Sequence, residues 1–373
     1  MIYSHASGFN GVSPDATPVQ LDQTFFLASC TKLITSIAAL QTVERGLISL
    51  DEPLDSYLPE LATQSIIEPI TNSGFKLRPA SQAITLRHLL THSSGIVYDV
   101  IDPTLALWRA SRGETPRFPT TGIVTKDYSL PRVFEAGESW MYGPGLDWAS
   151  LLVTRLNNSS SFPEYITRNI AEPLGIRSFT WHLSRKPEVE ERLMRMGTRR
   201  ENGVLVDGVD ADLAFPEPDE RGGSGGLGIY ASVPDFVRVL GDLLKENPVL
   251  LKEDTVDMLF TPQFAKGSNA LKALKANGGM YRQMIGGQIE SAVRNHGLGG
   301  LLVMEDIQRE DYYKPKGTLT WDGKPNLMWS LNRKRGLGLM FATQVLPSDD
   351  ARTQELIRAF ERAVWKHQGS GMG

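Results

Sequence analysis

A single cysteine, Cys30, leaves nothing for an intramolecular disulfide to form with, which excludes a disulfide scaffold and points to a reducing, cytoplasmic setting. No stretch approaches the about 18 consecutive apolar residues of a membrane span. Met1 to Val12 has neither the basic nor the apolar part of a secretion signal, and no association with a membrane is expected. An excess of positive charge is missing too. The 39 Lys plus Arg stand against 43 Asp plus Glu, for a formal net charge of −4, which is not the footprint of a nucleic-acid binder. Internal repeats and long low-complexity tracts are absent, and the short Gly-rich end, Gln368 to Gly373, is expected to be disordered. What is present is the balance of a globular chain, 41% hydrophobic and 22% charged over 373 residues, which can bury a large core without metal or disulfide.

The first clear element is helical. Between Thr31 and Arg45 the apolar Leu33, Ile34, Ile37, Ala38, Leu40 and Val43 cover most of the circumference, and Gly46 stands where a C-terminal cap falls. This predicts a largely buried helix that begins near Ser29. Shorter helical patterns follow at Thr85 to Leu90, Leu146 to Leu156, Phe162 to Ile170 and Val233 to Lys245, between loops rich in Pro and Gly. Near the end, the apolar runs Leu327 to Leu331 and Gly338 to Val345 flank Asn332-Arg333-Lys334-Arg335-Gly336, the pattern of an antiparallel hairpin. Ser348, Asp349 and Asp350 then cap a helix for which Leu356, Ile357, Phe360 and Val364 predict one apolar face.

Three short motifs compete for the chemistry. Gly223-Ser224-Gly225-Gly226-Leu227-Gly228 fits the dinucleotide pattern G-x-G-x-x-G, but the polar Pro216 to Arg221 precedes it where a strand is required. The same stretch fits the nucleophile elbow G-x-S-x-G around Ser224, with Asp242 or Asp257 and His296 or His367 following in suitable order. The strand-to-helix turn that an elbow needs is missing there. The third motif, S-x-x-K, puts an amine one helical turn after a hydroxyl, on the same face, so that it can take the proton as oxygen attacks a carbonyl. It occurs in an Asn-Ser-Gly turn at Ser73 to Lys76, and at Ser29 to Lys32, where the buried helix opens. Only the second has a helix to fix the pair. There the Ser29 N–H can face a developing oxyanion, and burial should lower the Lys32 pKa. His88 and His92 lie four apart without the Glu of an H-E-x-x-H site, so packing is expected and no metal. Cys30 is likewise read as packing.

Several separated segments coincide with one family. Leu27-Ala28-Ser29-Cys30-Thr31-Lys32-Leu33, Glu44-Arg45-Gly46-Leu47 with Leu50-Asp51, Thr85 to Gly95 with its His-Leu-Leu-Thr-His-Ser-Ser-Gly, Trp140-Met141-Tyr142-Gly143 and Pro173-Leu174-Gly175-Ile176 run in order along most of the chain. The chain resembles the serine β-lactamase and penicillin-recognising superfamily, in its class C branch. It is most similar to fungal transesterases of the lovastatin acyltransferase type and related carboxylesterases. The resemblance implies that Ser29 is acylated, that Lys32 and Tyr142 share the general-base work, and that the backbone N–H groups of Ser29 and Lys324 hold the oxyanion. The family's Lys-Thr-Gly strand, Trp-Gly-Gly in esterases, reads Trp321-Asp322-Gly323 here. Trp321 and Gly323 are then substrate-binding residues that favour an apolar acyl group. The family's Tyr-x-Asn reads Tyr142-Gly143-Pro144, without the amide that positions a lactam, which speaks against lactam hydrolysis.

The expected fold is an α/β (α+β), β-lactamase/transpeptidase-like single catalytic domain. An antiparallel sheet flanked by helices, built from residues 1–50 and 290–368, carries an inserted helical lobe of residues 51–289. Family members usually have a helix and a strand ahead of the segment that Met1 to Gly8 resembles. A shortened N-terminus, and with it a small or incomplete sheet, is therefore expected. The implied activity is transfer of an acyl group from an ester or thioester, which a carrier could present, to a small-molecule alcohol in secondary metabolism, with no cofactor. A carboxylesterase with the same site and an inactive binding scaffold are the alternatives.

Overall fold

The computed structural model describes residues 2–71, 74–115, 121–208, 224–287 and 294–367. Strand β1 (Thr24–Phe26) leads into the turn Ala28–Cys30 and helix α1 (Thr31–Glu44), whose residues are buried from Thr31 to Thr42. Leu33, Ile34, Ile37 and Leu40 have no exposed surface, and each such side chain contributes about 1.5–3 kcal/mol. The polar residues of so deep a helix need partners, and they have them. Gln41 Nε2 donates to the carbonyls of Asn169 and Leu250 at 3.1 and 3.0 Å, and Thr42 Oγ1 donates to that of Ala38. Helix α2 (Leu86–Leu90) starts on a capping box between Thr85 and His88, and helix α3 (Gly145–Leu156) packs alongside α1 in one shared core. Strand β2 (Tyr230–Ser232) pairs antiparallel with β1 and runs into helix α4 (Val233–Leu243).

The principal sheet comes from the end of the chain. Its strands are β3 (Arg294–His296), β4 (Leu301–Val303), β5 (Leu319–Gly323), β6 (Leu327–Asn332) and β7 (Leu337–Phe341), in spatial order β7-β6-β5-β4-β3 and all antiparallel. Alternation along the strands serves two cores. Leu327, Trp329, Leu331 and Met340 face the main core, whereas Met328, Leu337, Leu339 and Phe341 meet Ile357, Phe360, Val364 and Trp365 of helix α5 (Ala351–His367). The Asp350 carboxylate accepts the Thr353 N–H at 3.0 Å and so holds the start of α5.

The structure corrects three expectations. Residues 1–50, expected in the sheet lobe, contribute no described strand to the principal sheet, because β1 pairs with β2 and α1 packs with α3. The hairpin's second strand ends at Phe341, and Val345 instead pairs parallel with Gly197. Leu356 is 60% exposed, and Trp365 takes the buried place on α5. The tail from Gln368 lies outside the described residues, among which no helix is long and apolar enough to cross a membrane.

Candidate active site

Three side chains converge from three places in the chain. Ser29 sits in the tight turn before α1, Lys32 in the first turn of α1, and Tyr142 in the loop that enters α3. Ser29 Oγ lies 2.6 Å from the Tyr142 hydroxyl, and Lys32 Nζ donates to Ser29 Oγ at 3.1 Å. The preceding residue, Ala28, has a left-handed φ of 45°, a strain of about 1–3 kcal/mol that its buried surroundings hold in place. Ser29 and Tyr142 are half-buried, while Lys32 is only 3% exposed. The amine is thus the most deeply buried of the three.

Lys32 has no carboxylate within ion-pair distance among the described residues; its second partner is the Gly226 carbonyl at 2.7 Å. Burial brings its pKa down to about 8, against the pull of Asp147 and Asp322. Asp147, on α3 and fully buried, takes the Gly226 N–H at 3.1 Å and the Ser224 hydroxyl at 3.2 Å, and so fixes the loop that presents the Gly226 carbonyl. A Cβ at position 226 would fall 2.3 Å from Asp147 Oδ2, so any larger residue there would push this carboxylate off the loop. Burial pushes Asp147 up to about 6. The Tyr142 ring packs against His92, Tyr98 and Trp321 at centroid distances of 4.9, 5.3 and 5.7 Å, and Lys32 Nζ lies 4.8 Å from its centre. Burial drives the Tyr142 phenol well above its ordinary value, so the phenol is protonated at rest.

Strand β5 forms the second wall. Its Gly323 is the point of closest approach to the serine turn: a Cβ there would sit 2.5 Å from the Leu27 carbonyl and 3.4 Å from Cys30 Sγ. Trp321 is 3% exposed and stacks on His92 at 5.7 Å, so it backs the Tyr142 ring rather than presenting an open face to the cleft. Lys324 follows in the turn to β6, where its carbonyl accepts from the Ser348 hydroxyl at 2.9 Å.

The rival motifs do not assemble. Ser224 Oγ is bound to Asp147, whereas Asp242 is occupied by Lys245 and the N–H groups of Val249 and Leu250, and Asp257 by Arg333. Gly223, Ser73 and the His367 side chain lie outside the described residues. His88 belongs to the α2 capping box, and His92 and His296 pack on Trp321, each held neutral by burial, His296 at about 4. Among the described residues no cluster of three metal-ligating side chains occurs. Cys30 is buried and its thiol is pushed well up, in keeping with packing. Motif reading does not single out Asp147; an acid among the buried apolar residues of the helical pattern Leu146 to Leu156 is the signal that marks it.

A Ser–Lys–Tyr constellation at the N-terminus of a buried helix, beside an antiparallel sheet, defines the class, and a family model described as Beta-lactamase matches residues 1–363. The chain belongs to the beta-lactamase family, and within it to the serine acyltransferases and esterases. It is 37% identical to "Acyltransferase calJ" of Penicillium decumbens, over 98% of this chain and 86% of that protein. To "Lovastatin esterase" of Penicillium rubens it is 36% identical, over 100% and 92%. Among solved structures, unliganded "Simvastatin Synthase (LovD)" from Aspergillus terreus superposes with a TM-score of 0.83 at 32% identity, covering 97% of this chain and 90% of that one.

Proposed function

We propose that this enzyme forms an acyl-enzyme on Ser29 and passes the acyl group to an alcohol. The observation that carries this reading is the placement of Ser29 Oγ between the Tyr142 hydroxyl at 2.6 Å and Lys32 Nζ at 3.1 Å. Lys32 in its neutral form takes the Ser29 proton as Oγ bonds to the acyl carbonyl carbon. The N–H groups of Ser29 and Lys324 hold the resulting oxyanion. Tyr142 gives its proton to the leaving oxygen or sulfur as that bond breaks, and recovers it from the Lys32 ammonium. An acceptor alcohol then reverses these steps and carries the acyl group away. Gly323 bounds the acyl side of the cleft, and Trp321 acts on it only from behind, through the Tyr142 ring. Donor and acceptor are small molecules of secondary metabolism, the donor an ester or a thioester that a carrier could present, and the reaction is cytoplasmic.

Hydrolysis is the second reading, favoured by the likeness to an esterase over the whole chain. Incubation with a short-chain acyl thioester and a panel of alcohols separates the two: ester product supports transfer, and free acid alone overturns it. Intact mass after a fluorophosphonate probe tests the nucleophile. One adduct is expected, absent from Ser29→Ala; an adduct that survives this substitution removes Ser29 from the mechanism.

A further inference from the structure

Tyr142 belongs to no helix or strand, so the place of its hydroxyl depends on what holds the loop before α3. That loop lies along the end of α2 and the turn after it. The Met141 N–H donates to the His92 carbonyl at 3.1 Å. A Cβ on Gly143 would fall 2.0 Å from the Ile96 carbonyl oxygen, and one on Gly145 2.4 Å from that of Leu89. His92 stands in the middle of this bed with a left-handed φ of 57°, a conformation that His and Asn tolerate better than most residues. Its buried ring meets Tyr142 edge to face, with centroids 4.9 Å apart and planes at 68°, and lies nearly parallel to Trp321, 5.7 Å away and 19° off. Trp140 and His296 pack on it at 6.2 and 5.7 Å. The Gly143 carbonyl is the ring's hydrogen-bond partner, so the backbone on both sides of Tyr142 is tied to one residue. Burial, helped by His296 and Lys32, keeps the ring neutral, and it adds no positive charge near the catalytic amine.

We infer that His92 is a positioning residue, a wedge between Trp321 and Tyr142 that sets where the Tyr142 hydroxyl stands relative to Ser29 and the leaving group. It acts through Tyr142 and not on the substrate. The inference rests on the proton path proposed above, in which the phenol protonates the departing oxygen or sulfur. A phenol displaced by about 1 Å transfers that proton poorly, and the loss is felt only as far as the leaving group needs the proton. An acidic phenol departs readily as its anion, whereas a less acidic one depends on being protonated. Dependence on the leaving group is therefore the signature of His92, and a loss of packing alone does not produce it.

The test compares kcat/KM for p-nitrophenyl butanoate and p-methoxyphenyl butanoate, whose leaving groups have much the same shape and differ in acidity. His92→Asn suits the left-handed backbone and removes the ring, and His92→Gln fills more of the space should the first not fold. In either, the ratio of the p-nitrophenyl to the p-methoxyphenyl value should rise at least about tenfold over wild type. Tyr142→Phe should lower both values and raise the same ratio. A folded His92 variant that melts earlier but keeps the wild-type ratio overturns the inference and leaves the reaction intact. If Tyr142→Phe leaves the ratio unchanged, the proton path through Tyr142 fails, and the inference with it. If wild type turns over neither ester, or turnover survives Ser29→Ala, the reaction at Ser29 is overturned first.

Discussion

Two lysines lie in the interior of this protein, and their surroundings differ in one respect. Lys314 has no exposed surface, and its Nζ stands 2.9 Å from Glu361, which also takes the Tyr312 hydroxyl at 2.6 Å and the Ser330 hydroxyl at 3.0 Å. Lys32 is 3% exposed, and among the described residues its Nζ has only a carbonyl and a hydroxyl as partners. Burial pushes both amines down, but for Lys314 the contacting carboxylate pulls back. Removing a charge from water is costly, and a touching counter-ion offsets that cost only while both partners remain charged. The pair at Lys314 therefore ties the two-residue strand Tyr313–Lys314 to α5, and Ser330 of β6 is bound to the same carboxylate. At Lys32 the ammonium is uncompensated, so the proton can leave, and an amine that can lose its proton is what acylation needs.

The largest expected effect breaks this comparison if it fails. Lys32→Met should lower the rate of acylation by a p-nitrophenyl ester by about 10²–10⁴, measured in single turnover. Its melting temperature should hold or rise, because keeping a buried ammonium with a pKa near 8 instead of 10.5 costs about 3 kcal/mol below pH 8. Lys314→Met should do the reverse. Leaving Glu361 buried without its partner should cost about 3–5 kcal/mol in denaturant unfolding, while the protein that remains folded is still acylated. A stable but unreactive Lys314→Met would show that the two lysines are not divided in this way.

The next effect sharpens the same point. If Lys314 matters because it neutralises Glu361, then removing both charges should cost less than removing one. Lys314→Met combined with Glu361→Leu should recover most of the stability lost in the single variant, read as a shift in the unfolding midpoint. Additive losses would mean that the Tyr312 and Ser330 hydrogen bonds, not the ion pair, hold α5 to the sheet.

Of these two sites the sequence displays one. Ser29 and Lys32 are three residues apart, at the start of a helix whose apolar periodicity marks it as buried, so local spacing carries both the geometry and the burial. Tyr142 is legible only through its flanking Trp140 and Gly143 and the resemblance they carry. Lys314 and Glu361 are 47 positions apart, on a two-residue strand and on a helix whose other faces are charged, and no local pattern joins them. The same holds for β1 and β2, three residues each and about 200 apart, whose pairing no local pattern announces. Along helix α5 several apolar residues compete for one face, and the fit of Trp365 against Met328 and Leu337 leaves Leu356 outside.

The pH dependence reports directly on the uncompensated amine. Lys32 acts in its neutral form, so acylation should rise about tenfold per pH unit below about 8 and level off above it, followed as kcat/KM for a neutral ester. The sign is fixed by the role. An ammonium that served as a general acid would give a rate falling through the same window. For stability, the unfolded chain binds more protons than the folded one between about 8 and 10.5 at this position, so the Lys32 contribution to stability grows more favourable across that range.

The smallest effect distinguishes charge from scaffolding at Asp147. This carboxylate pins the Gly226 N–H, and its charge raises the Lys32 pKa against burial. Asp147→Asn keeps a carbonyl oxygen for that N–H and removes the charge, so Lys32 should lose its proton more readily. The rising limb should then move to lower pH by less than about one unit, since the two groups are not in contact. Burial places Asp147 itself at about 6, so wild type and variant should diverge only above that pH, where the carboxylate is ionised. At pH 6.5 to 7 the variant should be up to a few-fold faster on a neutral ester, and at pH 9 the two rates should meet. A limb that moves upward, or a loss of rate equal at every pH, would make Asp147 a pin for the Gly226 loop alone and would detach the observed pH dependence from the Lys32 amine.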